Sequence, residues 1–189
     1  MTVLIAAALE DELGDYFRNE MIVYTGVGKV NAAYALTKAI SKKRPALVFN
    51  LGSAASRTHP RGSVLLCTKF YQRDMDVSPL GFPVGVTPFS SHSQILDLNH
   101  TLHDAQGHTC SSGDNFVTSG VCPQNCDVFD MEAYSLALVC KNEDIPFFCL
   151  KYVTDDGNEQ AAADWQQNVK NSGRALSDAY RKILSEVAS

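Results

Sequence analysis

The chain has 189 residues, a formal net charge of −5 and 20% charged side chains, a composition ordinary for a globular protein forming one domain over 1–189. It carries no basic stripe to neutralise phosphates, which excludes nucleic-acid binding. The opening "MTVLIAAALEDEL" lacks a basic n-region and its apolar run is too short for a bilayer, so no membrane association is expected and the chain is read as cytoplasmic.

Residues 2–8, "TVLIAAA", form an apolar run of strand length, and an acidic helical segment follows from about Glu10. "MIVYTGVG", 21–28, reads as a second buried strand ending in glycines. Behind it "KVNAAYALTKAISKKR" places Val30, Ala33, Leu36 and Ile40 on one helical face. "ALVFNLGSAA" is the third strand, 63–73 the next, and "DNFVTS" and "IPFFCLKYVT" supply two more, with helices at about 131–143 and 160–187. The Pro- and Gly-richer stretch 78–92 reads as a long ordered loop or lid. Strands interleaved with helices predict an α/β three-layer sandwich whose central sheet is mixed and largely parallel.

Six cysteines are present. Cys67, Cys140 and Cys149 sit in apolar runs, where a reduced thiol packs as a small hydrophobe. Cys122 and Cys126 form a C-x3-C pair with no second pair at ligand spacing, and His100 and His103 share a helical face without partner ligands. No metal site is expected from either.

In sheets of this kind ligands bind at the carboxyl ends of strands. Glu12, Gly26 and Gly28, Ser53, Glu132, and Asp155 with Asp156 all fall at such ends. Taken singly, Glu12 and Glu132 could each favour a helix's first turn, and Asp155 could cap the turn "DDGN". Asp130 reads as an ordinary strand-end or capping residue. Three acidic positions on one rim, however, repel one another unless a ligand, a cation or raised pKa values relieve them. Gly26-Val27-Gly28 lacks the third glycine of a dinucleotide fingerprint, and strand one is followed by "ALEDE", so a Rossmann dehydrogenase is disfavoured.

The succession "AALEDEL", "TGVGKVNAA", "NLGSAAS", "SSGDNFV", "FDMEAYSLALVC" and "KYVTDDGNE" resembles the purine nucleoside phosphorylase and nucleosidase superfamily over nearly the whole chain. It is most similar to the hydrolytic branch, the methylthioadenosine/S-adenosylhomocysteine nucleosidases. The resemblance implies a nucleoside phosphorylase-like fold, a homodimer, a small purine nucleoside as substrate and no cofactor. It assigns Glu12 as the base that activates water, Glu132 to the ribose hydroxyls and the cationic sugar, and Asp155 as the acid toward N7 of the leaving purine. Phe116 would stack on the purine, the Val117 backbone would read its edge, Met131 would pack under the ribose, and Ser53 would sit near it. Val77 and Leu80 match the 5′-group pocket, with Phe82 reaching across to a neighbouring subunit. Met75 and Asp76 fall in the same segment, where the carboxylate could instead meet a polar 5′ substituent.

Cleavage of an N-glycosidic bond passes through an oxocarbenium-like sugar, which one carboxylate stabilises while another must hold a proton for the leaving base. Asp155 in water would have a pKa of about 4, so burial beside other acids should raise it. Phosphorolytic relatives hold phosphate with arginines, one of them just before the Gly-Ser turn, where Asn50 stands here. "GDYFR" is similar to a phosphate-binding string of the hexameric phosphorylases but comes too late after strand one. Water is therefore the expected nucleophile. The rivals are a purine nucleoside phosphorylase, a nucleosidase for another nucleoside such as futalosine, and a noncatalytic nucleoside-binding protein, which would need no acid for N7. The chain is several tens of residues shorter than typical members, with one shortfall between the first helix and "VYTG", where a β-hairpin usually stands, and another before "DVFDMEA". Lys151, expected at the substrate, stands where relatives carry arginine, and Lys does not replace Arg as a bidentate donor.

Overall fold

The computed structural model describes residues 1–98, 107–119 and 126–187; Cys122, His100 and His103 lie outside them. In chain order the elements are β1 (Val3–Ala7), α1 (Glu10–Leu13), β2 (Ile22–Tyr24), α2 (Lys29–Lys42), β3 (Leu47–Ala55), β4 (Val64–Gln72), β5 (Ile95–Asp97), β6 (His108–Ser112), β7 (Val128–Asp130), α3 (Ala133–Asn142), β8 (Phe147–Asp155), α4 (Ala161–Asn168) and α5 (Ser172–Val187).

All eight strands among the described residues belong to one mixed sheet. β1 pairs in parallel with β2 and β3, β3 with β8, β4 with β6, and β6 with β7; the pairings β3/β7, β4/β5 and β4/β8 are antiparallel. Because β8 pairs with both β3 and β4 while β7 pairs with β3, the strands β3, β8, β4, β6 and β7 close into a ring. A closed ring leaves those strands no free edge and gathers their ends around one mouth.

Strand alternation sorts the core into two layers. Leu4, Ala6, Val48, Phe147, Cys149 and Val153 face α2 and α3 through Ala32, Leu36, Ile40, Leu136, Ala137 and Cys140. Ile5, Leu47, Phe49, Phe148 and Leu150 face α1 and α5 through Leu13, Leu176, Tyr180 and Ile183. Phe49 is the centre of that second layer, stacked on Phe148 at 5.1 Å and met edge-on by Tyr180 at 4.9 Å. Helices on both faces of the sheet give the three layers expected.

Several elements differ from the sequence reading, each for a local reason. "DNFVTS" is not a strand: β6 is the preceding segment, and beyond it the Asn115 carbonyl accepts from Arg73 and the Asp114 carboxylate from Lys29 N–H instead of joining a ladder. β2 is a half-buried edge strand, paired only with β1. In α2 the buried positions are Ala32, Leu36 and Ile40, while Val30 is 77% exposed. The helix expected over 160–187 is broken by a 3-10 turn at Val169–Asn171. There Ser172 Oγ donates to the Glu12 and Val169 carbonyls, and a Cβ on Gly173 would meet the Leu13 carbonyl oxygen at 2.3 Å. That close approach seats α5 directly on α1. α1 itself is only one turn long and leads through a 3-10 turn at Gly14–Phe17 to β2, with no intervening hairpin. No described helix is long and apolar enough to cross a membrane.

Candidate active site

The carboxyl ends of β3, β7 and β8, with the turns after β1 and β6, surround a cavity of about 300 Å³. Glu12, Ser53, Phe116, Val117, Met131, Glu132 and Asp155 all line it. The side chains come from segments far apart in sequence, and each is held by a separate set of bonds.

Glu12 sits at the end of the short α1. Its Oε2 accepts the Leu9 N–H at 3.1 Å, as in a capping box, while Oε1 accepts both the N–H and the hydroxyl of Ser53, each at 2.7 Å. Trp165 on α4 donates its indole N–H to Ser53 Oγ at 3.0 Å and extends this chain to the far wall. Glu12 therefore serves helix capping and the cavity at once. A side chain at Gly52 would crowd this group, since a Cβ would lie 3.2 Å from Glu12 Oε1 and 3.3 Å from Lys151 Nζ.

Glu132 is the last residue before α3, and its Oε1 accepts the Gly28 N–H at 2.8 Å. Gly28 has φ +94°, a conformation that favours glycine. Its turn is pinned from the other side: Asp114 accepts the Lys29 N–H at 2.7 Å, and the Lys29 ammonium lies 2.6 Å from Asp74 and 3.0 Å from Asp114. The strings "GVGK", "GDNF" and "DMEA" thus meet in one bonded cluster. Burial, then the neighbouring Asp130 charge, push Glu132 from an ordinary 4.5 up to about 7.

Asp155 ends β8. Its carboxylate accepts the Thr154 hydroxyl at 2.9 Å and the Gly157 N–H at 3.0 Å, yet burial outweighs both and raises its pKa, as the sequence reading expected.

Beneath these groups lies a buried ion pair. Lys151, 1% exposed, places Nζ 2.8 Å from Asp130 Oδ2. Burial pushes the ammonium's pKa down, but Asp130 prevails and holds it above the usual lysine range; burial pushes Asp130 up, and Lys151 prevails in turn. The same carboxylate caps α3 through the Ala133 N–H at 2.8 Å and takes the Ser112 hydroxyl at 2.5 Å. Two sequence readings change here. Asp130 is a capping residue, but also the counter-ion of a buried lysine; Lys151 lies under the cavity, not on its wall.

Val77, Leu80 and Phe82 also fall away from the cavity of their own chain, beyond the end of β4. Asn50, standing where phosphorylases carry arginine, is buried and donates to the Ala6 carbonyl. Arg18 is an exposed partner of Asp15. The sequence reading missed Arg73, Trp165 and Phe129, which line the cavity. Arg73 follows β4 directly, so the rule that found Glu132 could have found it; Trp165 is the chain's single tryptophan. Arg73 is the one cation among the described lining residues, and both terminal nitrogens donate to backbone carbonyls of Ser111, Asp130, Gly113 and Asn115.

The sequence that builds this ring and its three carboxylates matches the family model of the phosphorylase superfamily over residues 12–188, and the chain belongs to that superfamily. Among curated relatives, 5′-methylthioadenosine/S-adenosylhomocysteine nucleosidase of Staphylococcus aureus is 26% identical, aligned over 90% of this chain and 83% of its own length. Among solved structures, the nucleosidase of the same name from Helicobacter pylori superposes with a TM-score of 0.88 at 21% identity, covering 97% of each chain. Futalosine hydrolase of Helicobacter pylori superposes with a TM-score of 0.87 at 20% identity, with the same coverage.

Two outcomes test this geometry. Lys151→Met keeps the side-chain volume and removes the ammonium, so it should cost about 3–5 kcal/mol by leaving Asp130 buried and unpaired. Adding Asp130→Asn should return part of that loss in chemical denaturation; additive losses would show that the two do not act as a pair. For Glu132, the folded chain retains between pH 4.5 and 7 a proton that the unfolded chain has released. Stability from this group is therefore lost as pH rises through that window, by about 3 kcal/mol in all. Glu132→Gln should be more stable than the parent at pH 8 and lose that advantage near pH 4.5, read from unfolding midpoints across pH.

Proposed function

We propose that this protein hydrolyses the N-glycosidic bond of a purine nucleoside of the methylthioadenosine/S-adenosylhomocysteine type, releasing adenine and the sugar. The observation that carries the reading is the convergence of Glu12, Glu132 and Asp155 on one cavity, each with different partners. The similarity to named nucleosidases supports it.

The roles follow from the environments. Asp155, its pKa raised by burial, is the acid that gives a proton to the leaving purine at N7. Phe116 and Val117, on the same wall, offer a face for the base and a backbone edge to read it, and Met131 a surface under the ribose. Glu132 is costly to ionise, because burial and Asp130 oppose it. A cationic sugar reverses that balance, so the attraction is greatest in the transition state, where it accelerates the reaction. Glu12, oriented by Ser53 and Trp165, takes a proton from the attacking water.

Water rather than phosphate is the nucleophile. A phosphate would need a free guanidinium or ammonium, and the terminal nitrogens of Arg73 are already taken by backbone carbonyls. Val77, Leu80 and Phe82 would serve the 5′ group of a nucleoside held by a neighbouring copy, in a homodimer of single-domain chains acting in the cytoplasm. The placement of these residues outside their own cavity, with Leu80 72% exposed, supports that arrangement.

Free-base release measured by chromatography from methylthioadenosine, S-adenosylhomocysteine, adenosine, inosine and futalosine, with and without phosphate, should give phosphate-independent release, fastest with the thio-substituted adenosines. Release that requires phosphate would overturn the reading, and binding without release would point to a noncatalytic binder. Asp155→Asn should reduce turnover by about 10²–10⁴-fold without unfolding the chain. Glu12→Gln should stop water attack while nucleoside binding persists. Light scattering should give twice the chain mass; a monomer with full activity would exclude the cross-subunit role of Phe82.

A further inference from the structure

A second cluster of chemically competent side chains lies at the other end of β6 and β7 from the cavity. His59 is in the turn after β3, His108 opens β6, and Asp127 immediately precedes β7. Asp127 Oδ1 lies 3.1 Å from His59 Nε2 and 3.5 Å from His108 Nδ1. One ligand atom from each of the three residues falls within 4.8 Å of the other two. With strand residues rising about 3.3 Å each, Asp127 stands roughly 10 Å along β7 from Asp130. It therefore takes no part in the chemistry described above.

We propose that His59, His108 and Asp127 form a binding site for a single divalent transition-metal ion of the zinc type, which ties the exit of β3 to the entries of β6 and β7. Tetrahedral zinc with bonds of about 2.0–2.2 Å to imidazole nitrogen and carboxylate oxygen keeps its ligand atoms roughly 3.3 Å apart. The two distances to Asp127 Oδ1 bracket that separation, and the two imidazole nitrogens lie within 4.8 Å of each other, so an ion would draw together two rings that already meet edge-on at 4.9 Å. Two imidazoles with one carboxylate form a donor set suited to such ions, and the fourth position would fall to water.

The three side chains are also held in place from behind. Asp127 Oδ2 accepts the Thr109 N–H at 2.8 Å, and the Asp127 N–H donates to the Thr109 carbonyl at 3.0 Å. Ser56 Oγ donates to the Asp127 carbonyl at 2.6 Å and accepts the His59 N–H at 3.0 Å, which fixes the turn that carries His59. Such outer contacts orient ligands before the ion arrives. Burial pushes Asp127 up, but the Thr109 N–H and the two histidines prevail, keeping it an anion. The side chains are between 26% and 33% exposed, so an ion has a path from solvent.

The pairing could instead be a plain carboxylate–histidine contact, and metal titration separates the two. After dialysis against a chelator, the full chain should bind one equivalent of Zn²⁺ in calorimetry and unfold at a higher temperature with Zn²⁺ than without. His59→Ala and His108→Ala should each weaken binding by about tenfold or more while unfolding like the parent in chelator. His59→Gln is the fallback should the alanine variant fold poorly. With Co²⁺ as probe, visible d–d bands should appear without a thiolate charge-transfer band in the near ultraviolet. No Zn²⁺ binding by the parent, unchanged affinity in the histidine variants, or a thiolate band in the Co²⁺ adduct would each overturn the proposal. None of these readouts depends on catalysis, so the site stands or falls independently of the nucleosidase reading.

Discussion

The buried ion pair between Lys151 and Asp130 is the contact on which the cavity's geometry depends. Removing two charges from water costs several kcal/mol for each ion and is offset only when every remaining lone pair finds a donor. Asp130 meets that condition with the Lys151 ammonium, the Ser112 hydroxyl and the N–H groups of Glu132 and Ala133. Its surroundings leave no alternative, since Cys67, Cys110 and Cys149 pack nearby and are themselves buried. One carboxylate thus joins β8 to β7, β6 and the start of α3, and fixes the backbone from which Glu132 projects.

That arrangement sets the site's electrostatics. Asp130 is ionised because Lys151 faces it, and its charge in turn opposes ionisation of Glu132, which burial already disfavours. The cavity therefore contains a carboxylate whose ionised form would be favoured by positive charge beside it. Glu12 is managed differently, through two donors from Ser53 and one from Leu9, and Asp155 through Thr154 and Gly157. Three acids can share one mouth because no two of them rely on the same partners. The closed strand ring makes this feasible by bringing ends from β3, β7 and β8 together without an exposed edge.

Much of this was legible in the chain. Runs such as "ALVFNLGSAA" and "IPFFCLKYVT" are buried on both sides and can be little other than central strands, and Glu12, Glu132 and Asp155 stand where such strands end. Short polar segments were harder. "DNFVTS" has strand-like composition, but its backbone is claimed by Arg73 and its Asp114 by Lys29, partners some forty and eighty-five positions away. Val30 and Ala32 are two residues apart and so on nearly opposite faces of the helix, and only docking on the sheet selects which one is buried. Arg73 has an ordinary charged side chain in sequence; its carbonyl partners exist only once β4, β6 and β7 are adjacent.

The sequence by itself determined the layered α/β class and the three acidic positions, because hydrophobic period and strand-end placement are local properties of the chain; the superfamily was legible only in the resemblance of its motif succession. Tertiary structure decided the rest: that Lys151 lies under the cavity paired with Asp130, that Trp165 reaches Ser53, that Phe82 lies off its own site, and that His59 meets His108 and Asp127. These are relations between side chains on non-neighbouring strands. Only the closure of β3, β8, β4, β6 and β7 into a ring sets their distances.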